Sequence, residues 1–222
     1  MAYVPPIGIP NPKTTTIGGH VPWGIDIDDP TPSWPASWTA GTTSATPGYY
    51  FIDSRTGNDS GNTYGHPQAP TATAPPVPYA PGSFIYFGGG DYTSAQLGGG
   101  DRWKPHGIGT SGSPIWIVGN PADRPQIHAL THIGGYGQAS FMIFRELKWS
   151  PSGATQSYID IRPSFPGSRA DHIMIQDSEL VGSPIFSQQS LIQVDGGVEV
   201  EYNAGDPDTT YVIESVVVQN CL

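Results

Sequence analysis

Two kinds of side chain in this sequence could do acid–base chemistry, and both lie in its C-terminal half. The cations are Arg145 and Lys148, and the oxygen-bearing group is Gln176, Asp177 and Glu179, with Asp160 and Arg162 between them in sequence. A basic side chain of suitable pKa can abstract a proton, and clustered carboxylates can serve as general acid, general base or nucleophile. Arg145, Lys148, Asp177 and Glu179 are therefore the catalytic candidates. The competing reading is an outward face of solvated, laddered charges, because their spacing matches no catalytic motif.

Flat rings offer a second chemistry, stacking on sugar faces. Trp103 lies between Arg102 and Lys104 in a glycine-rich loop and is expected to be exposed, so it leads the glycan-binding candidates, joined by Tyr92 and Tyr136. Tyr86 and Trp116 are of the same type, whereas Trp149 is expected inside. His128 and His132 have the spacing of metal ligands on a helix, but their segment reads as strand and turn, where they share only a parity. No metal site is assigned there. Asp53, Asn58, Asp59 and Asn62 crowd oxygens into one loop without the glycine and terminal glutamate of an EF-hand, so a turn held by side-chain-to-backbone bonds is expected. The runs Gly88–Gly90 and Gly98–Gly100 are followed by neither Lys-Ser nor Lys-Thr and read as turns. Asn58-Asp59-Ser60 is a glycosylation sequon.

The elements that would position these residues announce themselves by repetition. FMIFRELKW at Phe141–Trp149 returns as HIMIQDSEL at His172–Leu180 and begins again as SVVVQNCL at Ser215–Leu222. Stacked coils follow, each a long strand, a turn and a short strand, with Tyr158–Ile161 and Leu191–Val194 as the short ones. At a coil rise of about 4.8 Å, equivalent residues form columns. Met142, Ile173 and Val216 make one inward column, and Phe144, Ile175 and Val218 the next. Glu146, Asp177 and Asn220 fall at a bend, and Lys148 falls against Glu179. Earlier strands are expected at Tyr49–Asp53, Ser83–Phe87, Pro114–Val118 and Gln126–Leu130, each bounded by turn residues. Residues 1–48 are broken by Pro5, Pro6, Pro10, Pro12, Pro22, Pro30, Pro32, Pro35 and Pro47 and form an extended arm. Trp23, Trp34 and Trp38 imply that this arm lies along a body, the alternative being a partner-docking or sugar-stacking segment. Residues 49–222 form the repeating unit, which stops inside its third phrase.

A chain of 222 residues can bury one sizeable core, and aromatic content of 11% argues for a folded, turn-rich protein despite 29 Gly and 24 Pro. Its net charge of -10 repels nucleic acid and anionic membrane surfaces, leaving neutral glycans and other proteins open as partners. Cys221 cannot form an internal disulfide, no leader pattern marks residues 1–22, and no transmembrane run exists.

Four stretches, YYFIDSRTGNDSGNTYG, PGSFIYFGGGDYT, GTSGSPIWIVGNPADRPQI and the repeated phrases, together resemble the N-terminal part of right-handed parallel β-helix proteins of the pectin-lyase-like class. That class includes polysaccharide lyases, secreted repeat proteins and phage tailspikes. The resemblance implies an all-β right-handed parallel β-helix behind the proline-rich arm. It differs where relatives place a capping helix, since residues 67–81 are rich in proline here. Lyases of the class use a basic residue beside a uronate with Ca2+ or Arg neutralising the carboxylate, so Ca2+ is the one cofactor the resemblance would bring. Lyase chemistry on an anionic polymer sits badly with 9 Lys and Arg. The leading expectation is a non-catalytic structural or adhesin-like protein of a virion fibre or external surface, extracellular or virion-associated. It would bind glycans and self-associate through its C-terminal coil edge. The alternative is a polysaccharide lyase or glycoside hydrolase whose catalytic coils are incomplete in this chain.

Overall fold

The computed structural model describes residues 49–60, 69–98, 100–135, 137–151, 158–163, 168–181, 191–194, 212–219 and 221. The proline-rich arm, Asn62, Tyr136 and Asn220 lie outside the described residues. Within them the chain is all-β and winds a parallel β-solenoid of about four turns. Strand β1 (Tyr49–Ile52) precedes a first coil of β2 (Phe84–Phe87), β3 (Asp91–Tyr92) and β4 (Arg102–Trp103). The second coil holds β5 (Gly107–Ile108), β6 (Ile115–Gly119), β7 (Gln126–Ile127) and β8 (Leu130–Ile133). The third is β9 (Ala139–Arg145), β10 (Lys148–Trp149) and β11 (Ile159–Ile161), and the fourth β12 (Arg169–Gln176), β13 (Glu179–Leu180) and β14 (Ile192–Val194). β15 (Val212–Gln219) continues the stack.

These strands make three walls. The first runs β1-β2-β6-β9-β12-β15 with β5 also pairing β9, the second β3-β7-β10-β13, and the third β4-β8-β11-β14. The expected columns hold in register: Met142 pairs Ile173 and Ile173 pairs Val216, while Phe144 pairs Ile175 and Ile175 pairs Val218. One expectation needs correction. Gln126–Leu130 is not a single strand, because β7 ends at Ile127 and β8 starts at Leu130, with the corner between two walls in the gap.

Alternation fills the interior with Ile52, Ile85, Ile117, Met142, Phe144, Ile173 and Ile175, all fully buried. Between the lower coils an edge-to-face chain of rings runs from Tyr92 to Phe87 (centroids 5.0 Å), Phe87 to Trp103 (5.7 Å) and Trp103 to Phe144 (6.0 Å). Such pairs contribute about 0.5–1.5 kcal/mol each beyond their burial. Two features repeat from coil to coil. Phe141 and His172 have φ of 49° and 52°, are skipped by the strand pairing, and stack ring on ring at 4.1 Å. Glu146 and Asp177, at φ of 56° and 50°, turn the chain from the first wall to the second. A left-handed conformation costs a non-glycine residue roughly 1–2 kcal/mol, so stacking identical kinks keeps the coils in register.

Candidate binding site

The four catalytic candidates do come together, at the corner between the first and second walls. They are arranged as ties between coils. Arg145 Nε lies 3.1 Å from Asp177 Oδ2 and Lys148 Nζ lies 3.4 Å from Glu179 Oε1, each cation facing the acid one coil up. Arg124 repeats the motif one coil lower, with Nη2 at 2.8 Å and Nε at 2.9 Å from Glu146 Oε2. Pairs this exposed contribute from near zero to about 1 kcal/mol. The corner is a ladder of ion pairs that resists sliding of one coil on the next. Gln176, beside it, is buried.

The glycan-binding candidates require correction. Trp103 is 1% exposed and Tyr92 fully buried, so neither can stack on a ligand. On a strand, a large apolar residue between two cations points inward and the cations outward, which is the arrangement of Arg102, Trp103 and Lys104. Tyr92 turns its hydroxyl to the first corner, within 3.2 Å of the Ile52 carbonyl, 3.1 Å of the Gly88 carbonyl and 3.2 Å of the donating Ser54 amide. Burial pushes its phenol pKa up. Tyr136 lies outside the described residues. Trp149 is interior, as expected, and its Nε1 donates to Thr131 Oγ1 at 3.0 Å.

The two histidines take separate roles. His128, at the corner after β7, has Nδ1 3.0 Å from the Ser150 carbonyl and Nε2 2.8 Å from Asp91 Oδ1. Burial works against its charge, but the Asp91 carboxylate and the Ser150 carbonyl outweigh it and raise the imidazole pKa. His132, on β8, is pushed down to about 4 by burial first and then by Arg162 and Arg102, and is neutral over most of the physiological range. The loop expected to bond its own backbone does so: Asp53 Oδ1 accepts from the Arg55 and Thr56 amides, Asn58 Oδ1 from Ser60, and Asp59 Oδ1 from Ala72. Among the described residues no group of three His, Cys, Asp or Glu is arranged to hold a metal ion.

The cavity with the right chemistry for a ligand lies on the outside of the third wall. The chain continuing from β4 turns Arg102, Lys104 and His106 to one side, where the loop Ala74–Val77 closes over them with Leu97 and Gly98 around a hollow of roughly 470 Å³. None of the described lining residues is acidic. Asp101, 3.3 Å from Lys104 and 3.5 Å from Arg102, is 73% exposed and stands at the rim. Its hydrogen bond to Lys104 lowers its pKa. Behind the rim, Asp160 lies 3.8 Å from Arg102 and 3.0 Å from Arg162, so the third wall gathers three of the 9 Lys and Arg of the chain. His106 also lines a second hollow of roughly 570 Å³, walled by Pro78, Tyr79, Pro81 and the half-exposed Ile108. The two hollows therefore adjoin at one imidazole. Sequence reasoning missed them because neither is local: the proline loop and residues 102–106 meet only once the first coil closes.

No family model, no curated protein and no solved structure matches the chain.

Proposed function

We propose that this chain is a non-catalytic, adhesin-like solenoid of a virion fibre or external surface that holds an acidic glycan in the adjoining hollows around His106. The observation that carries the reading is the pairing of two cations with proline walls in one cavity, a local basic site that departs from the neutral glycans expected from the net charge of -10. A uronate would set its ring face on the exposed Pro76 and its carboxylate toward Arg102 and Lys104, displacing the exposed carboxylate of Asp101. The exchange is inexpensive, since a rim ion pair contributes about 1 kcal/mol at most. The second hollow extends the site for a further sugar, as a polymer requires. Resemblance to pectin-lyase-like β-helices supports the substrate class, and the tied corner argues against catalysis there.

Self-association belongs to the same proposal. Val181, Val194 and Val218, all at the upper end of the described stack, are 38%, 49% and 47% exposed, and Val218 belongs to an inward column. Apolar residues so placed suit a further coil from another copy. A panel of acidic and neutral oligosaccharides tests the binding claim: uronate-containing chains bind, neutral ones bind at least 10-fold more weakly, and affinity falls with added salt. Equal binding of the two classes, or release of unsaturated sugars from any of them, would contradict it.

A further inference from the structure

The two hollows that meet at His106 differ in chemistry. The first, of roughly 470 Å³, has Arg102 and Lys104 in its wall. The second, of roughly 570 Å³, has no Lys, Arg, Asp or Glu among its described lining residues. Its apolar wall is Pro78, Pro81 and Ile108, all exposed, and Ile108 is turned outward on β5 with 50% of its surface open. The imidazole between the hollows is held in one orientation. His106 Nδ1 lies 3.0 Å from the Lys104 carbonyl, which can only accept, so Nδ1 carries the proton and Nε2 of the neutral ring is an acceptor. A Cβ on Gly137 would collide with His106 Cδ2 and come within 2.8 Å of Nε2. The absence of a side chain at Gly137 thus lets that edge of the ring lie at the second hollow, which Gly137 also lines.

We propose, building on the acidic-glycan reading above, that the second hollow takes an N-acetylated neutral sugar, so that the glycan alternates a uronate with an N-acetylhexosamine. An acetamido group matches both features of the hollow. Its N–H would donate to His106 Nε2, and its methyl would cover Ile108 and Pro81. A second uronate would instead bring a carboxylate against apolar groups, with the imidazole as the sole counter-charge among the described lining residues. An O-acetyl ester has the methyl and lacks the donor. Alternation also halves the charge of the glycan per unit length, which lessens its repulsion by a protein of net charge -10.

The test is calorimetric titration of the full native protein with two hexasaccharides, one alternating glucuronate with N-acetylglucosamine and one of galacturonate alone. The alternating hexasaccharide should bind about 10-fold more tightly or better, as an added methyl in an apolar pocket allows. Equal affinity, or tighter binding of the homopolymer, overturns the assignment of the second sugar and leaves the acidic-glycan reading standing. Binding of neither overturns that reading and the assignment with it. Saturation-transfer NMR on the native protein then locates the contact: the N-acetyl methyl should receive the strongest transfer, and transfer confined to the uronate overturns the assignment. In Ile108→Ser the preference for the alternating hexasaccharide should fall to about 3-fold or less. An undiminished preference in that variant, folded by circular dichroism, overturns the assignment as well.

Discussion

Two outward regions of the solenoid are built from the same residue types and do different things. At the corner of the first and second walls, Arg124, Arg145 and Lys148 each meet an acid one coil up, and the charges run along the stack as ties. On the third wall, Arg102 and Lys104 share an acid on their own coil, the exposed Asp101, and face a hollow roofed by prolines. Arg102 also lies 3.8 Å from Asp160, two coils up, so the difference rests on Asp101, the exposed acid that Arg102 and Lys104 share. An acid fixed by register in the next coil is part of the scaffold, whereas the proposal has the exposed carboxylate of Asp101 replaced by that of a ligand.

The comparison breaks first at Trp103, the residue between the two cations. If it were a sugar platform, Trp103→Ala would weaken binding and leave stability unchanged. As a buried ring touching Phe87 and Phe144 it should lose about 3–5 kcal/mol in chemical denaturation.

Two histidines on and beside the third wall come next, because their pKa shifts have opposite signs. His132, held at about 4, contributes stability that is present above its unfolded pKa of 6.5 and is lost as pH falls through about 4. His128, raised by Asp91 and Ser150, contributes stability present below 6.5 and lost as pH rises through its folded value. Melting temperature should therefore fall from about pH 6.5 toward 4 in the native chain, and His132→Gln should flatten that acid limb while leaving the alkaline one. A limb unchanged by the substitution would remove His132 from the account.

The smallest effect belongs to the corner. A double-mutant cycle on Lys148→Ala and Glu179→Ala should give a coupling energy of about 0.2–1 kcal/mol, as an exposed tie requires. A coupling of several kcal/mol would mark a desolvated pair with a role beyond register.

Much of the scaffold was legible in the sequence because β-solenoid columns repeat. The inward columns of Met142 and Phe144, the Lys148–Glu179 neighbours, the buried Trp149 and the bend at Glu146 and Asp177 all follow from aligning two phrases. The two-residue strands β3, β4 and β5 were not legible, since two residues cannot display an alternation. The corner inside 126–130 was hidden because its apolar residues fall with strand-like spacing on both sides. Trp103 was misread for a different reason. The glycines around it signal a loop, yet the flanking cations set the parity and turn the indole inward. The hollows needed contacts between residues 74–78 and 102–108 that no local pattern encodes.

The central claim is that the third-wall hollow binds and the corner ties. Calorimetric titration of one uronate oligosaccharide into the native chain, an Arg102→Ala/Lys104→Ala variant and an Arg145→Ala/Lys148→Ala variant tests it most directly. Loss of two charge-assisted contacts should weaken binding about 10–100-fold in the first variant, with affinity unchanged in the second. Equal affinity in the native chain and the Arg102→Ala/Lys104→Ala variant, or a loss confined to the corner variant, would contradict the claim.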